Sequence, residues 1–286
     1  IVGGTGALGM CIAAWLLQER GVRHLALVGR TLPTDEQRIL LKELGIQGAA
    51  IEVFQADVSI ETEVLRMVKE VEDTMPPVNG IIHAAGLLDD GVLSAQTPER
   101  FARVMAPKVQ GAWYLHEHTL DWPLEFFALF SSATSLLGSP GQANYAAANA
   151  FLDALALYRR ARKLPALSIS WGAWSQIGEA AQRDADVYLQ RMGVDSITPE
   201  EGLQLLSLLL SQPNPQVGAI PIDWPSFSEQ LAAGPFFARL RHNSERAPVD
   251  SARLIKDLAE RPVAERRDYV LTQVQAHIAT VLGLPT

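Results

Sequence analysis

The centre of the chain carries residues that could protonate a carbonyl oxygen. Tyr145 and Asn149 are four residues apart, so on a helix their side chains would project from one face. A tyrosine can deliver a proton to a carbonyl when its pKa is lowered, and a nearby ammonium group lowers it. Lys108 is the best candidate for that ammonium, and Ser131-Ser132 ends an apolar segment shortly before Tyr145. The sequence therefore predicts a proton-donating centre around Tyr145.

A glycine-rich run near the start of the chain has the spacing of a phosphate-binding turn. Gly4-Thr5-Gly6-Ala7-Leu8-Gly9 matches G-x-G-x-x-G, follows a short apolar stub and opens a helical pattern. Glycines permit the tight turn and the close approach of a pyrophosphate, and a helix N-terminus attracts negative charge. Met10 stands where a Walker-type loop needs lysine, which excludes that class of loop. A turn that serves packing alone is the alternative to a dinucleotide site.

Residues after the next three strands extend the predicted cofactor site. Arg30 stands at roughly the 20-residue spacing of a ribose-reading residue. An arginine there can pair with a 2′-phosphate, which favours NADPH over NADH, although a solvated surface arginine is the alternative. Asp57-Val58 could contact adenine, or Asp57 could cap a helix or turn. Ala84-Ala85-Gly86 would let a dinucleotide lie flat, or could serve close packing.

The candidate cofactor-binding residues follow apolar segments, and these segments alternate with helical patterns along the chain. Strands are predicted at residues 24–28, 50–54, 80–84, 126–130, 166–170 and 217–220, and helices at residues 7–20, 35–44, 61–73, 98–119, 144–163 and 199–210. Such alternation predicts an α/β fold, a Rossmann-like doubly wound parallel sheet with helices on both faces. Ligands bind at the carboxyl ends of the strands in such sheets, so the candidate residues are expected to meet there.

The last part of the chain departs from this alternation. Residues 174–195 are polar and alanine-rich and are predicted to form a lid over the site. The catalytic domain is predicted to span residues 1–227, followed by a linker at 228–250 and a C-terminal helical tail at 251–286. Because the chain starts without methionine and inside a strand pattern, we expect it to be a fragment of a longer polypeptide.

Composition narrows the class of protein. The formal net charge of -8 argues against broad binding of nucleic acid or anionic membranes. No signal peptide or membrane span is recognisable, so the predicted compartment is the cytoplasm. The single cysteine, Cys11, excludes an intrachain disulfide. His116 and His118 would not share a helix face, and no metal site is predicted.

Four motifs stand out as a set. They are Gly4-Thr5-Gly6-Ala7-Leu8-Gly9, His83-Ala84-Ala85-Gly86, Lys108-Val109-Gln110-Gly111-Ala112 and Asn144-Tyr145-Ala146-Ala147-Ala148-Asn149. Together they resemble the ketoreductase domains of modular polyketide synthases, members of the short-chain dehydrogenase/reductase superfamily, over about residues 1–225. The wider superfamily usually has lysine four residues after the tyrosine. Here Asn149 stands there and Lys108 comes from an earlier helix, which is the pattern of these ketoreductases.

The resemblance implies a role for each of these residues. Tyr145 would donate the proton, Ser132 would hydrogen-bond the substrate carbonyl, Lys108 would tune Tyr145, and Asn149 would support a proton relay. NADPH would deliver a hydride to the β-ketone of a thioester tethered to the phosphopantetheine of an acyl carrier domain. Other synthase domains would share the polypeptide, and residues 252–286 resemble the start of a carrier domain.

A short acidic segment bears on the stereochemistry of the product. Leu88-Asp89-Asp90 resembles the motif of B-type ketoreductases, which give a D-configured β-hydroxyl. Leu137 stands eight residues before Tyr145, where A-type domains usually carry tryptophan. The alternative is an acidic surface turn, because Asp-Asp-Gly is a good turn sequence in itself.

Other functions remain open at this point. An inactive ketoreductase-like scaffold would typically lose the glycine run or the tyrosine, and both are present. A free-standing dehydrogenase of small alcohols is disfavoured by Asn149 and by the tail. A ketoreductase of the fatty-acid-synthase type is a close alternative.

Overall fold

The computed structural model describes residues 1–45, 48–177 and 193–224, with short stretches at 226–227, 258–259, 261–262, 265–267 and 269–270. The chain divides into two compact units, Ile1–Asp223 and Trp224–Thr286. Most of the predicted lid, the linker and most of the tail lie outside the described residues. The domain boundaries at 227 and 250 stay predictions.

The first unit has the predicted alternation of strands and helices. The strands are β1 (His24–Gly29), β2 (Ala50–Gln55), β3 (Gly80–His83), β4 (Phe126–Ser132), β5 (Leu167–Trp171) and β6 (Gln216–Ala219). The helices are α1 (Ala7–Gln18), α2 (Asp35–Gly45), α3 (Glu61–Thr74), α4 (Pro98–His118), α5 (Thr134–Leu137), α6 (Ala143–Ala161) and α7 (Pro199–Leu210), with a 3-10 turn at Leu93–Ala95.

Every strand pair is parallel, and Val2 joins the two halves of the sheet. β1 pairs with β2, and β3, β4, β5 and β6 pair in that order. Val2 bridges Val28 on one side and His83 on the other, so the sheet order is β2–β1–Val2–β3–β4–β5–β6. The chain winds outward in both directions from this centre, which confirms the doubly wound fold. In such sheets the ligand crevice lies where the strand order reverses, beside Val2.

Apolar side chains fill both faces of the sheet. On β4, Ala128 and Phe130 pack with α1, α2 and α7, whereas Phe127 and Leu129 pack with α3, α4 and α6. This alternation follows from the two-residue period of a strand, and burial on both faces is typical of parallel sheets. Because helices cover both faces, a site is expected at the edge where the strands end.

Two aromatic residues at the end of β5 and just beyond it belong to the core. Trp171 and Trp174 are 4% and 6% exposed, and their ring centroids lie 5.0 Å apart. Within the described residues, no helix is long and apolar enough to cross a membrane.

Candidate functional site

The glycine turn brings two backbone segments into contact at the carboxyl edge of the sheet. Gly3 has a φ of 82°, and a Cβ atom there would lie 2.8 Å from the Ala85 nitrogen. A Cβ atom on Gly9 would lie 2.2 Å from the Gly3 oxygen. No other residue type fits either position. α1 begins directly after Gly6, which has no side chain to cap the first amides, so the helix N-terminus is suited to an anion.

Thr5 is held against the end of β1. A Cβ atom on Gly29 would lie 2.2 Å from Thr5 Oγ1, and Gln37 Nε2 donates to the Thr5 carbonyl at 2.8 Å. Arg30 follows Gly29 directly and is exposed, while its carbonyl accepts from Gln55 Nε2 at 2.9 Å. The cationic side chain thus starts beside the glycine turn. Sequence reasoning missed the steric requirement at Gly3 and Gly29.

Asp57 performs the turn-capping role that the sequence left open. Its Oδ1 accepts from the backbone nitrogen and the hydroxyl of Ser59, at 2.9 Å and 2.6 Å. Its own N–H donates to Glu63 Oε2 at 2.7 Å. Val58 is buried, and a Cβ atom on Gly111 would lie 2.8 Å from its Cγ2. Contact of Asp57-Val58 with adenine stays a prediction.

Lys108 and Tyr145 come together from different helices. Lys108, on α4, is 3% exposed, and its Nζ donates to the Phe130 carbonyl on β4 at 2.8 Å. The same Nζ lies 5.4 Å from the ring centroid of Tyr145 on α6. A Cβ atom on Gly86 would lie 2.9 Å from Lys108 Cε, which explains the small residue there. A buried ammonium beside a tyrosine stabilises negative charge on the phenol oxygen.

Ser132 and Asn149 flank this pair. Ser132 is the last residue of β4, and its Oγ accepts from the Thr134 N–H at 3.2 Å. Asn149 is fully buried on α6, one turn after Tyr145, and its Nδ2 donates to the Tyr145 carbonyl at 2.8 Å. Its Oδ1 is buried without a hydrogen-bond partner among the described residues. An unpaired buried acceptor is costly, so this oxygen is suited to a water molecule or a ligand.

His83 supports the turn of α4 that carries Lys108, a role the sequence did not reveal. The ring is fully buried, and Nε2 lies 3.0 Å from the Pro107 carbonyl. A carbonyl only accepts, so Nε2 carries the proton. Burial, with a contribution from the Lys108 charge, lowers the pKa of His83 to about 3, so the ring is neutral. The His83-Ala84-Ala85-Gly86 motif was the available signal.

Asp153 is a second supporting residue that sequence reasoning missed. It lies one turn beyond Asn149 on α6, and its two carboxylate oxygens accept from the hydroxyls of Ser135 and Ser168, each at 2.6 Å. Ser135 Oγ also lies 2.9 Å from the Ser132 carbonyl. Asp153 thus fixes the segment after β4 against α6. The four-residue spacing from Tyr145 through Asn149 to Asp153 was its signal in the sequence.

Leu88-Asp89-Asp90 forms a loop that is fixed to α4 by ion pairs. Asp89 pairs with Arg100 at 2.6 Å and with Arg103. Hydrogen bonds from Arg100 and Arg103 lower the pKa of Asp89 to about 2. Leu88 precedes these contacts with intermediate exposure. Asp89 therefore serves as a charged anchor of the loop.

The two histidines near the end of α4 point to different partners. His116 Nδ1 lies 2.8 Å from Arg159 Nη1, whereas His118 Nε2 lies 3.2 Å from Glu61 Oε1. The described residues contain no group of three or more potential metal ligands.

A doubly wound parallel sheet, a glycine turn at its centre and a Lys–Tyr pair at its carboxyl edge together describe a Rossmann-like α/β domain. The KR domain family model matches residues 1–176, which is more than half of the chain. The chain belongs to this family of ketoreductase domains.

Known relatives agree with this assignment. The phenolphthiocerol synthesis polyketide synthase type I Pks15/1 of Mycobacterium marinum is 40% identical over 301 residues, which cover 100% of this chain and 14% of that protein. The polyketide synthase GfsB of Streptomyces halstedii is 40% identical over 295 residues, covering 99% of this chain and 5% of that protein. This chain thus corresponds to a small part of these much longer proteins.

Among solved structures, a ketoreductase domain from the bacillaene assembly line superposes with a TM-score of 0.76 at 31% identity. The match covers 80% of this chain and 57% of that chain. Sequence and fold therefore point to the same family.

Proposed function

We propose that this chain uses NADPH to reduce the β-keto group of a carrier-bound polyketide thioester to a β-hydroxyl group. The observation that carries the proposal is the position of Lys108 Nζ, 5.4 Å from the Tyr145 ring at the carboxyl edge of the sheet. The substrate would be presented on the phosphopantetheine arm of an acyl carrier domain, and other synthase domains would share the polypeptide.

The residues at the sheet edge fit a dinucleotide. An added Cβ atom at Gly3, Gly9 or Gly86 would collide with the protein's own atoms, so these glycines let the chain pack tightly at the sheet edge. The N-terminus of α1 beside this turn favours a pyrophosphate. Arg30 is the candidate partner of the 2′-phosphate, and Ala84 and Ala85 are partly exposed beside the turn. When bound, NADPH supplies the hydride that is added to the carbonyl carbon.

The protein's own residues handle the proton. Tyr145 donates its phenolic proton to the carbonyl oxygen as the hydride arrives at the carbon, so the ketone becomes an alcohol. Ser132 donates a hydrogen bond to the same oxygen and stabilises its developing charge. Lys108 stabilises the phenolate that remains. A water molecule at Asn149 Oδ1 would return a proton to Tyr145, which accounts for that unpartnered acceptor.

The D-configured hydroxyl is the proposed product. The Asp89 carbonyl in Leu88-Asp89-Asp90 accepts from Asn144 on the helix of Tyr145, and Leu137 stands eight residues before Tyr145, where A-type domains usually carry tryptophan. Asp89 is paired with Arg100 and Arg103 and its side chain is 14% exposed, so it is not part of a solvated surface turn.

A single assay tests the proposal. NADPH absorbance is followed while the protein, extended by its natural upstream sequence where there is one, receives a β-ketoacyl thioester. We expect NADPH consumption, a D-hydroxy product on a chiral column, and a loss of about 100- to 10,000-fold in kcat for Tyr145→Phe. Binding of NADPH without oxidation of any thioester would instead support a scaffold, and an L-hydroxy product would overturn the stereochemical part.

A further inference from the structure

The side chain of Asn144, directly before Tyr145, is fully buried and uses both of its polar atoms. Its Oδ1 accepts from the Tyr145 N–H at 2.8 Å, and its Nδ2 donates to the Asp89 carbonyl at 2.9 Å. Amides in the first turn of a helix have no acceptor within the helix. Asn144 therefore satisfies the amide of Tyr145 and connects it to the Leu88-Asp89-Asp90 loop.

Asp89 is connected in turn to the helix of Lys108. Its carboxylate accepts from Arg100 Nε at 3.1 Å and Nη2 at 2.6 Å, and also from Arg103. Its carbonyl accepts from Gln96 Nε2 at 3.3 Å and from Arg100 Nη2 at 3.3 Å. The Asp89 side chain is 14% exposed. Both carboxylate oxygens are thus committed to α4.

Two further hydrogen bonds join the Leu88-Asp89-Asp90 loop and Gly91 to the segment that leads into α6. The Gly91 N–H donates to the Gly141 carbonyl at 2.8 Å, and Gln142 Nε2 donates to Asp90 Oδ2 at 3.1 Å. The loop at 88–91 is therefore hydrogen-bonded at three places to the segment 141–144 that leads into α6. These contacts, together with the Arg100 pair, make the loop a clamp between α4 and α6.

We propose that Asp89 and Asn144 are positioning residues that hold Tyr145 at a fixed distance from Lys108. Lys108 and Arg100 lie on α4, Tyr145 and Asn144 lie on α6, and Asp89 joins the two helices through its contacts to each. The inference rests on the proposed reductase activity and extends it. In this view the acidic loop acts on stereochemistry by fixing the proton donor, while the Asp89 carboxylate itself is engaged by arginines. Displacement of a reacting group by about 1 Å can lower a rate by about 100-fold.

Whether Asp89 stabilises the segment before and around Tyr145 can be tested without measuring catalysis. Backbone hydrogen exchange is measured by mass spectrometry for peptides that cover residues 138–148. Asp89→Asn keeps the shape and the carbonyl of residue 89 but weakens its pairs with arginine, and we expect exchange in this segment to rise about tenfold. Glu70→Gln makes the same charge change in an exposed pair with Arg66 (2.9 Å) on α3 and is expected to leave exchange unchanged. Equal exchange in Asp89→Asn and the unaltered protein would overturn the coupling, whether or not the protein reduces thioesters.

The catalytic part uses the same variants together with Asn144→Ala. We expect kcat to fall about 10- to 100-fold with little change in the KM for NADPH, and the D-to-L ratio of the product to fall. Asp89→Glu retains a carboxylate for Arg100 and should recover part of the rate and of the ratio. Unchanged kcat and D-to-L ratio in both Asp89→Asn and Asn144→Ala would overturn the positioning role. A parallel loss of NADPH affinity and melting temperature would overturn it too, because that pattern indicates general destabilisation.

Discussion

Lys108 Nζ lies 5.4 Å from the ring centroid of Tyr145 while it donates a hydrogen bond to the Phe130 carbonyl, although Lys108 and Tyr145 come from different helices. The lysine is thus oriented by β4 and faces the tyrosine with its charge. In this chain the cation reaches the tyrosine from α4, and the position one turn after Tyr145 can therefore carry Asn149.

Replacing this cation separates its electrostatic role from its packing role. Lys108→Met keeps the length of the side chain and removes the charge, so the phenolate of Tyr145 loses its stabilisation. We expect kcat to fall about 100-fold or more, with the pH optimum displaced to higher pH. Steady-state NADPH oxidation between about pH 6 and 10 measures both. Lys69→Met, an exposed lysine on α3, is the control, and an unchanged pH profile in Lys108→Met would contradict the role.

The glycine turn gives a steric prediction. Gly9→Ala places a methyl group 2.2 Å from the Gly3 oxygen, so the turn must shift and its cradle must change shape. We expect destabilisation of about 1–3 kcal/mol and at least tenfold weaker binding of NADPH in a fluorescence titration. At Gly45 no described atom lies within 4 Å of an added Cβ atom, and Gly45→Ala should bind NADPH normally. Equal affinities for the two variants would rule out a cofactor role for the turn.

We expect the choice between NADPH and NADH to depend on Arg30. If its guanidinium pairs with the 2′-phosphate, Arg30→Ala should raise the KM for NADPH about 10- to 100-fold and leave the KM for NADH nearly unchanged. The exposed Arg23, just before β1, provides the matched variant Arg23→Ala. The two cofactors are compared in the same thioester assay. A similar loss with NADH and NADPH would show that Arg30 does not read the phosphate.

Buried histidines should make the fold sensitive to acid. Burial lowers the pKa of His83 from its usual 6.5 to about 3, and burial together with Arg159 lowers that of His116 to about 4. The folded state therefore holds fewer protons than the unfolded state between these values and 6.5. Their contribution to stability is complete above pH 6.5 and is lost as the pH falls, by up to about 1.4 kcal/mol per pH unit for each histidine.

Urea unfolding from about pH 7 to pH 4 measures this slope. His83→Asn should lower overall stability but make the slope shallower than in the unaltered protein. His24→Asn, at an exposed position, serves as the comparison. A slope as steep in His83→Asn as in the unaltered protein would show that His83 does not cause the acid sensitivity.

The sequence predicted the elements whose signals are local. α7 begins at Pro199 because Thr198 and Glu201 form a capping box and proline fits the first turn. The edge where Tyr145, Lys108 and the glycine turn meet was also predictable, because the carboxyl ends of parallel strands share one side of the sheet.

The contacts that support Tyr145 and Lys108 had no comparable signal in the sequence. The bond from Asn144 to Asp89 joins residues 55 apart in the chain, and that from His83 to Pro107 joins residues 24 apart. Such pairs depend on the path of loops that have no periodic pattern. The sequence offered an acidic surface turn as one interpretation of Asp89, whereas its pairing with Arg100 and Arg103 needed the structure.

The four-residue spacing of Tyr145, Asn149 and Asp153 along α6 also limits which insertions and deletions this helix can tolerate. Each residue added to an α-helix rotates the remainder of the helix by about 100°. A single inserted codon between Tyr145 and Asn149 would therefore rotate the Asn149 amide relative to Tyr145 and turn the Asp153 carboxylate away from Ser135 and Ser168. We expect insertions and deletions to be tolerated around the exposed Gly138 and Pro140 and eliminated between residues 145 and 153.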